Sequence, residues 1–149
     1  VRLTEHFDLA ELTHSQVADR LVLDNTPDKL ALHALLKTAR GLEQIRALVR
    51  VPIIISSGFR SIAVNRAVGS KSDASQHVLG QAADITAPDY GSPRTLMAAI
   101  VASKIPYDQV ILEFSNPSDP SRGWVHVSFS DRNRKQALLI DGAGTRAYA

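Results

Sequence analysis

Residues 26–55 read TPDKLALHALLKTARGLEQIRALVRVPIII, and the period of the apolar residues changes inside this stretch. Thr26 suits an N-cap and Pro27 the first helical position, opening a long helix that runs to about Val49. Leu35, Thr38, Leu42, Ile45 and Val49 recur at helical steps and make a mainly apolar stripe. His33, Lys37, Arg40 and Gln44 keep the same steps on a polar face. Past Pro52 the pattern breaks. Ile53-Ile54-Ile55 is short, β-branched and uninterrupted, which predicts a buried strand.

Upstream, Phe7-Asp8-Leu9-Ala10-Glu11-Leu12 reads as a helix start, with Asp8 as N-cap, Glu11 as its reciprocal partner, and Phe7 with Leu12 as the hydrophobic staple. Downstream, Ser56-Ser57-Gly58 turns the chain towards Arg60, and Ser61 to Val68 suits a short helix closed by Gly69. Ser70 to Ser75 is polar and loop-like. Gln81 to Ala87 reads as a strand, Ser92-Pro93 opens a helix to about Lys104, and Gln109 to Phe114 and Trp124 to Phe129 are two further strands. The tail from Asp131 is polar apart from Ala137 to Ile140 and has no firm assignment. Helices first and strands later, without βαβ alternation, predict an α+β fold: a small mixed or antiparallel sheet flanked by helices.

The 149 residues suit one domain with one core, spanning 1–149. With no cysteine, disulfides, iron–sulfur clusters and thiolate zinc sites are excluded, so any metal must be held by His, Asp or Glu. A net charge of +2 is too small, and its basic residues too scattered, to expect nucleic acid as a partner. No apolar run is long enough to span a bilayer. Val1-Arg2-Leu3-Thr4-Glu5 does not read as a signal peptide, so the chain is expected to be made without one or to have lost it. A monomer is expected.

Five histidines offer nitrogen ligands. His6 and His14 lie in an N-terminal segment expected to be exposed, and His33 lies on the polar helix face. His126 differs. In Trp124-Val125-His126-Val127-Ser128-Phe129, strand alternation points Val125, Val127 and Phe129 one way and Trp124, His126 and Ser128 the other. A histidine fixed on that face suits a metal, although burial patterns alone favour a hydrogen-bonded structural histidine. In Ser75-Gln76-His77-Val78-Leu79-Gly80-Gln81-Ala82-Ala83-Asp84-Ile85, a loop histidine is followed by a turn, small residues and a strand carboxylate. His77, Asp84 and His126 together would give three ligands and an open fourth position, the arrangement of catalytic zinc. Spacing alone leaves this reading and a local cap or ion pair at Asp84 equally open.

Ser75-x-His77-x-x-Gly80-x-Ala82-x-Asp84 resembles the first zinc motif of the M15 peptidases, the D-Ala-D-Ala carboxypeptidase family that includes phage endolysins. Trp124-Val125-His126-Val127-Ser128 is similar to its second motif, and Ser57-Gly58-Phe59-Arg60-Ser61 with Asn65 resembles the segment ahead of the first. The resemblance runs from about Leu3 to Ser130. It implies a hedgehog/D-Ala-D-Ala peptidase-like fold, Zn2+ held by His77, Asp84 and His126, and a substrate bound by Arg60 with help from Ser75. Many relatives carry an acidic residue three positions before the last zinc histidine, where this chain has Gly123. Of the four glutamates, Glu113 at a strand end is then expected to be the catalytic base, with Asp108 in reserve.

The activity so implied is zinc-dependent hydrolysis of peptidoglycan stem peptides, by a D,D-carboxypeptidase or an L-Ala-D-Glu endopeptidase. The site of action would be the bacterial cell wall, with a phage or prophage lysis protein favoured by the lack of a signal peptide. The rival expectation, supported by Gly123, is a zinc-containing peptidoglycan- or protein-binding module without turnover.

Overall fold

A computed structural model describes residues 1–149. Its order is α1 (Leu9–Thr13), α2 (Gln16–Leu21), α3 (Lys29–Val49), β1 (Ile54–Ser57), α4 (Ile62–Ala67), β2 (Ala82–Thr86), α5 (Pro93–Ala102), β3 (Gln109–Glu113), β4 (Trp124–Ser128), β5 (Gln136–Asp141) and β6 (Gly144–Ala147). The strands form one open sheet in the order β1-β2-β4-β3-β5-β6, antiparallel throughout except for the parallel β3–β5 pair. The fold is α+β, as the order of elements predicts.

Local chemistry accounts for most of the boundaries. Asp8 and Glu11 close the capping box of α1, and Phe7 and Leu12 are both buried. The long helix begins later than predicted, because Asp24 takes both the backbone N–H and the hydroxyl of Thr26. With its side chain spent in that turn, Thr26 leaves the cap to Asp28, which accepts from Ala31 N at 2.8 Å. The predicted stripe is buried along its whole length, while His33, Lys37, Arg40 and Gln44 are exposed.

The Ile53-Ile54-Ile55 reading needs correction. β1 is an edge strand of alternating burial, and Ile54 is 52 % exposed, because only β2 pairs with it. The unassigned tail forms a hairpin: β5 joins the sheet beside β3, and β6 covers its edge.

Alternation across the three central strands separates two kinds of face. Ala83, Ile85, Val110, Leu112, Val125 and Val127 belong to the main apolar cluster, together with Leu35, Leu42 and Ile45 of α3 and Leu96, Met97 and Ile100 of α5. Asp84, Ile111 and His126 occupy the intervening positions and point to the other side. The helices therefore anchor one side of the sheet and leave Asp84, Ile111 and His126 on the other. No helix is long and apolar enough to cross a membrane.

Candidate metal centre

The centre of that second face is fixed by strand register. Asp84 on β2 lies directly opposite His126 on β4, so two potential ligands meet on adjacent, fully paired strands. His126 Nδ1 is 3.1 Å from Asp84 Oδ1. His77 arrives from the loop before β2, with Nε2 3.3 Å from the same oxygen. All three residues are buried, and one ligand atom from each lies within 4.8 Å of the others.

The orientation of His77 has a clear cause. Its Nδ1 is 2.7 Å from the Gly58 carbonyl, which can only accept, so Nδ1 carries the proton and Nε2 presents its lone pair to the cluster. Gly58 is itself pressed against α1: a Cβ there would come within 2.4 Å of the Leu12 carbonyl oxygen. The neighbouring Phe59 N donates to that oxygen at 2.7 Å.

The donor set fits a zinc ion. Two atoms each about 2.0–2.1 Å from one tetrahedral zinc lie about 3.3 Å apart, close to the separations found between Asp84 and each histidine. Burial opposes charge on Asp84, but the adjacent His126 and His77 rings outweigh it and hold the carboxyl well below the usual carboxylate range. The oxygen is thus kept ionised, as a ligand must be.

Glu113 lies on the same face. It pairs with Trp124 two residues along from the Ile111–His126 pair, and period-two alternation turns it the same way as Ile111. Burial pushes its carboxyl up, the Asp84 charge pushes it further, and His126 and Arg60 pull it back in part. The Trp124 indole N–H lies near enough to lower it slightly but makes no hydrogen bond of ordinary geometry.

Arg60 feels both Asp84 and Glu113, while its own burial lowers its pKa. Its Nε donates to Asn65 Oδ1 at 3.0 Å and one terminal nitrogen donates to Ser57 Oγ at 3.3 Å, so the guanidinium is braced rather than free. Ser75 accepts from His77 N through Oγ at 3.3 Å and borders a groove beside His126.

Asp108 is placed differently. It is fully buried, and its carboxylate accepts Nε and Nη2 of Arg134, both at 2.8 Å, the Arg134 backbone N–H, and Gln76 Nε2 at 2.7 Å. Those bonds hold its pKa well below the usual range. Sequence reasoning did not find Gln76 or Arg134, because nothing local joins residues so far apart along the chain. The other histidines are remote from the cluster by partner: His6 bonds Glu43, His14 faces Asp19, and His33 is solvent-exposed.

Gly123 has a structural reason. Its φ is +85°, and a Cβ would come within 2.5 Å of the Glu113 carbonyl oxygen and 2.6 Å of Ser115 N. A larger residue is barred there by the end of β3, the strand end that carries Glu113.

The sequence model of a family described as Peptidase M15 matches residues 5–128, a span that contains the clustered His77, Asp84 and His126, together with Arg60, Ser75 and Glu113. No curated protein matches the chain. With the match covering most of its length, the chain belongs to the Peptidase M15 family.

Proposed function

We propose that this chain is a zinc peptidase that hydrolyses the stem peptides of bacterial peptidoglycan, as a D,D-carboxypeptidase or an L-Ala-D-Glu endopeptidase of endolysin type. The observation that carries the reading is the convergence of His77 Nε2, Asp84 Oδ1 and His126 Nδ1 on one buried point, with a desolvated Glu113 on the same sheet face.

Zinc held there would supply Lewis acidity, activating a water at neutral pH and polarising the scissile carbonyl. The remaining roles belong to the chain. Glu113 accepts the proton of the attacking water at its carboxylate and returns it to the departing amine. Its raised pKa suits both halves of that transfer, since a stronger base holds the proton long enough to deliver it. Arg60, braced by Asn65 and Ser57, offers its remaining N–H groups to a carboxylate or carbonyl of the peptide. Ser75 keeps the His77 loop in place. Asp108 does not serve as the base, because its carboxylate is already filled by Arg134 and Gln76.

The binding-module alternative drew its support from Gly123. That support weakens once an acidic group stands on the neighbouring strand and Gly123 is explained by its contact with β3. The test is hydrolysis of purified peptidoglycan and short stem peptides by the zinc-loaded, chelated and zinc-restored protein. Hydrolysis that chelation abolishes and zinc restores supports the proposal, and the products name the bond. A chain that holds one zinc and cleaves nothing would be a binding module.

A further inference from the structure

Beside His126 the sheet face opens into a groove of about 610 Å³, large enough for several residues of a peptide. Arg60 does not border it; Ser75 and His126 stand at one part of its wall, and Arg132 and Arg134 at another. The charges along the wall do not cancel. Asp131, the wall's acidic residue, is paired with Lys37, and Arg134 is paired with Asp108. Arg132 is exposed, and its only hydrogen bond runs from its backbone N–H to Ser130 Oγ, so its guanidinium has no partner in the chain.

The segment that carries both arginines is held in a defined shape. Asn133 and Lys135 have positive φ, Asn133 N donates to Ser130 O, and Lys135 N donates to Tyr107 O. Asp108 grips Arg134 through Nε and Nη2, leaving Nη1 uncommitted on a side chain that is 32 % exposed. Gln76 joins the same carboxylate, tying this wall to the loop that carries His77. A rigid, partly neutralised arginine next to an unpaired one suits an anion of carboxylate size.

We propose that Arg132 and Arg134 form a second carboxylate-binding subsite that takes the glutamyl α-carboxylate of the stem peptide, so that the preferred peptide carries that carboxylate free where it crosses this groove. The inference rests on the peptidase reading and adds a substrate preference: converting that carboxylate to a carboxamide removes the charge that Arg132 recognises and weakens the peptide. Arg132 is the specificity-determining residue, and Asp108 positions Arg134.

The test uses two pentapeptides of the form acetyl-L-Ala-γ-D-Glu-L-Lys-D-Ala-D-Ala, one with the glutamyl α-carboxylate free and one with it amidated. kcat/KM is measured for both with zinc-loaded wild type, Arg132→Ala and Arg132→Lys. Dissociation constants of the corresponding product fragments, which are not turned over, supply a readout independent of activity. Wild type is expected to favour the free acid by roughly tenfold, mainly in KM, and to lose that preference as salt rises. Arg132→Ala should bring the two peptides together by slowing the free acid alone, and Arg132→Lys should restore part of the gap. Equal use of both peptides by wild type, or an equal loss on both in Arg132→Ala, overturns the subsite and leaves the peptidase standing. Hydrolysis of neither by wild type overturns both.

Discussion

His77 reaches the centre from a loop, and one carbonyl decides which of its nitrogens faces inward. The Gly58 carbonyl takes the Nδ1 proton, and Gly58 can stand there only because it has no side chain to meet Leu12. Gly58→Ala should push this carbonyl off His77 and weaken zinc binding by roughly 10- to 100-fold, read by competition with a chelator. Wild-type affinity in that variant would contradict the orientation argument. Gly123→Ala tests the other close approach. A side chain at φ +85° against the end of β3 should cost about 2 kcal/mol of stability in a denaturant titration. At this scale alternation in Trp124–Phe129 was enough to set His126 apart from the apolar face, whereas Asp84 was read only as a strand carboxylate, and its place opposite His126 comes from strand register. The contact of Gly58 with Leu12 was not legible, because it joins segments distant along the chain.

Between elements, the chief unpredicted link is Gln76–Asp108–Arg134, which fastens the His77 loop, the start of β3 and the segment before β5 to one another. Its sign in acid follows from Asp108. The folded carboxyl titrates well below its unfolded value because Arg134 and Gln76 bond its charged form, against the opposing effect of burial. The link therefore stabilises fully above the unfolded pKa near 4, and is lost as pH falls through the lower folded value. Asp108→Asn should flatten the acid side of the stability profile and cost about 3 kcal/mol at pH 7, leaving Arg134 without its charged partner. An unchanged acid limb would show that the link contributes little. The elements themselves were readable where local chemistry dominates, as in the capping box of Asp8 and Glu11. Reading failed at Thr26, whose hydroxyl is diverted to Asp24, and at Ile54, because β-branching reports strand and not which edge of the sheet the strand occupies. The β5–β6 hairpin escaped for a similar reason: β5 is parallel to β3, and such a partner leaves no local signal.

Over the whole molecule, α3 and α5 share one apolar cluster with the central strands, so the face that carries His126 and Asp84 is built on a packed support. The candidate ligands come from two paired strands and one loop, and metal binding there should therefore stabilise the folded chain as a unit. At free zinc about 1,000-fold above the dissociation constant, the gain is about 4 kcal/mol, or roughly 10 °C in Tm for a chain of this size. Scanning calorimetry with and without chelator reads this directly, and Asp84→Ala should abolish the difference. In the proposed reaction a zinc centre and Glu113 act together. Zinc-loaded Glu113→Gln, assayed on purified peptidoglycan with zinc content measured in the same sample, tests that pairing. One zinc per chain, with hydrolysis reduced at least ~100-fold, is the predicted result. One zinc per chain with hydrolysis at the wild-type rate would contradict it and move the base to another group.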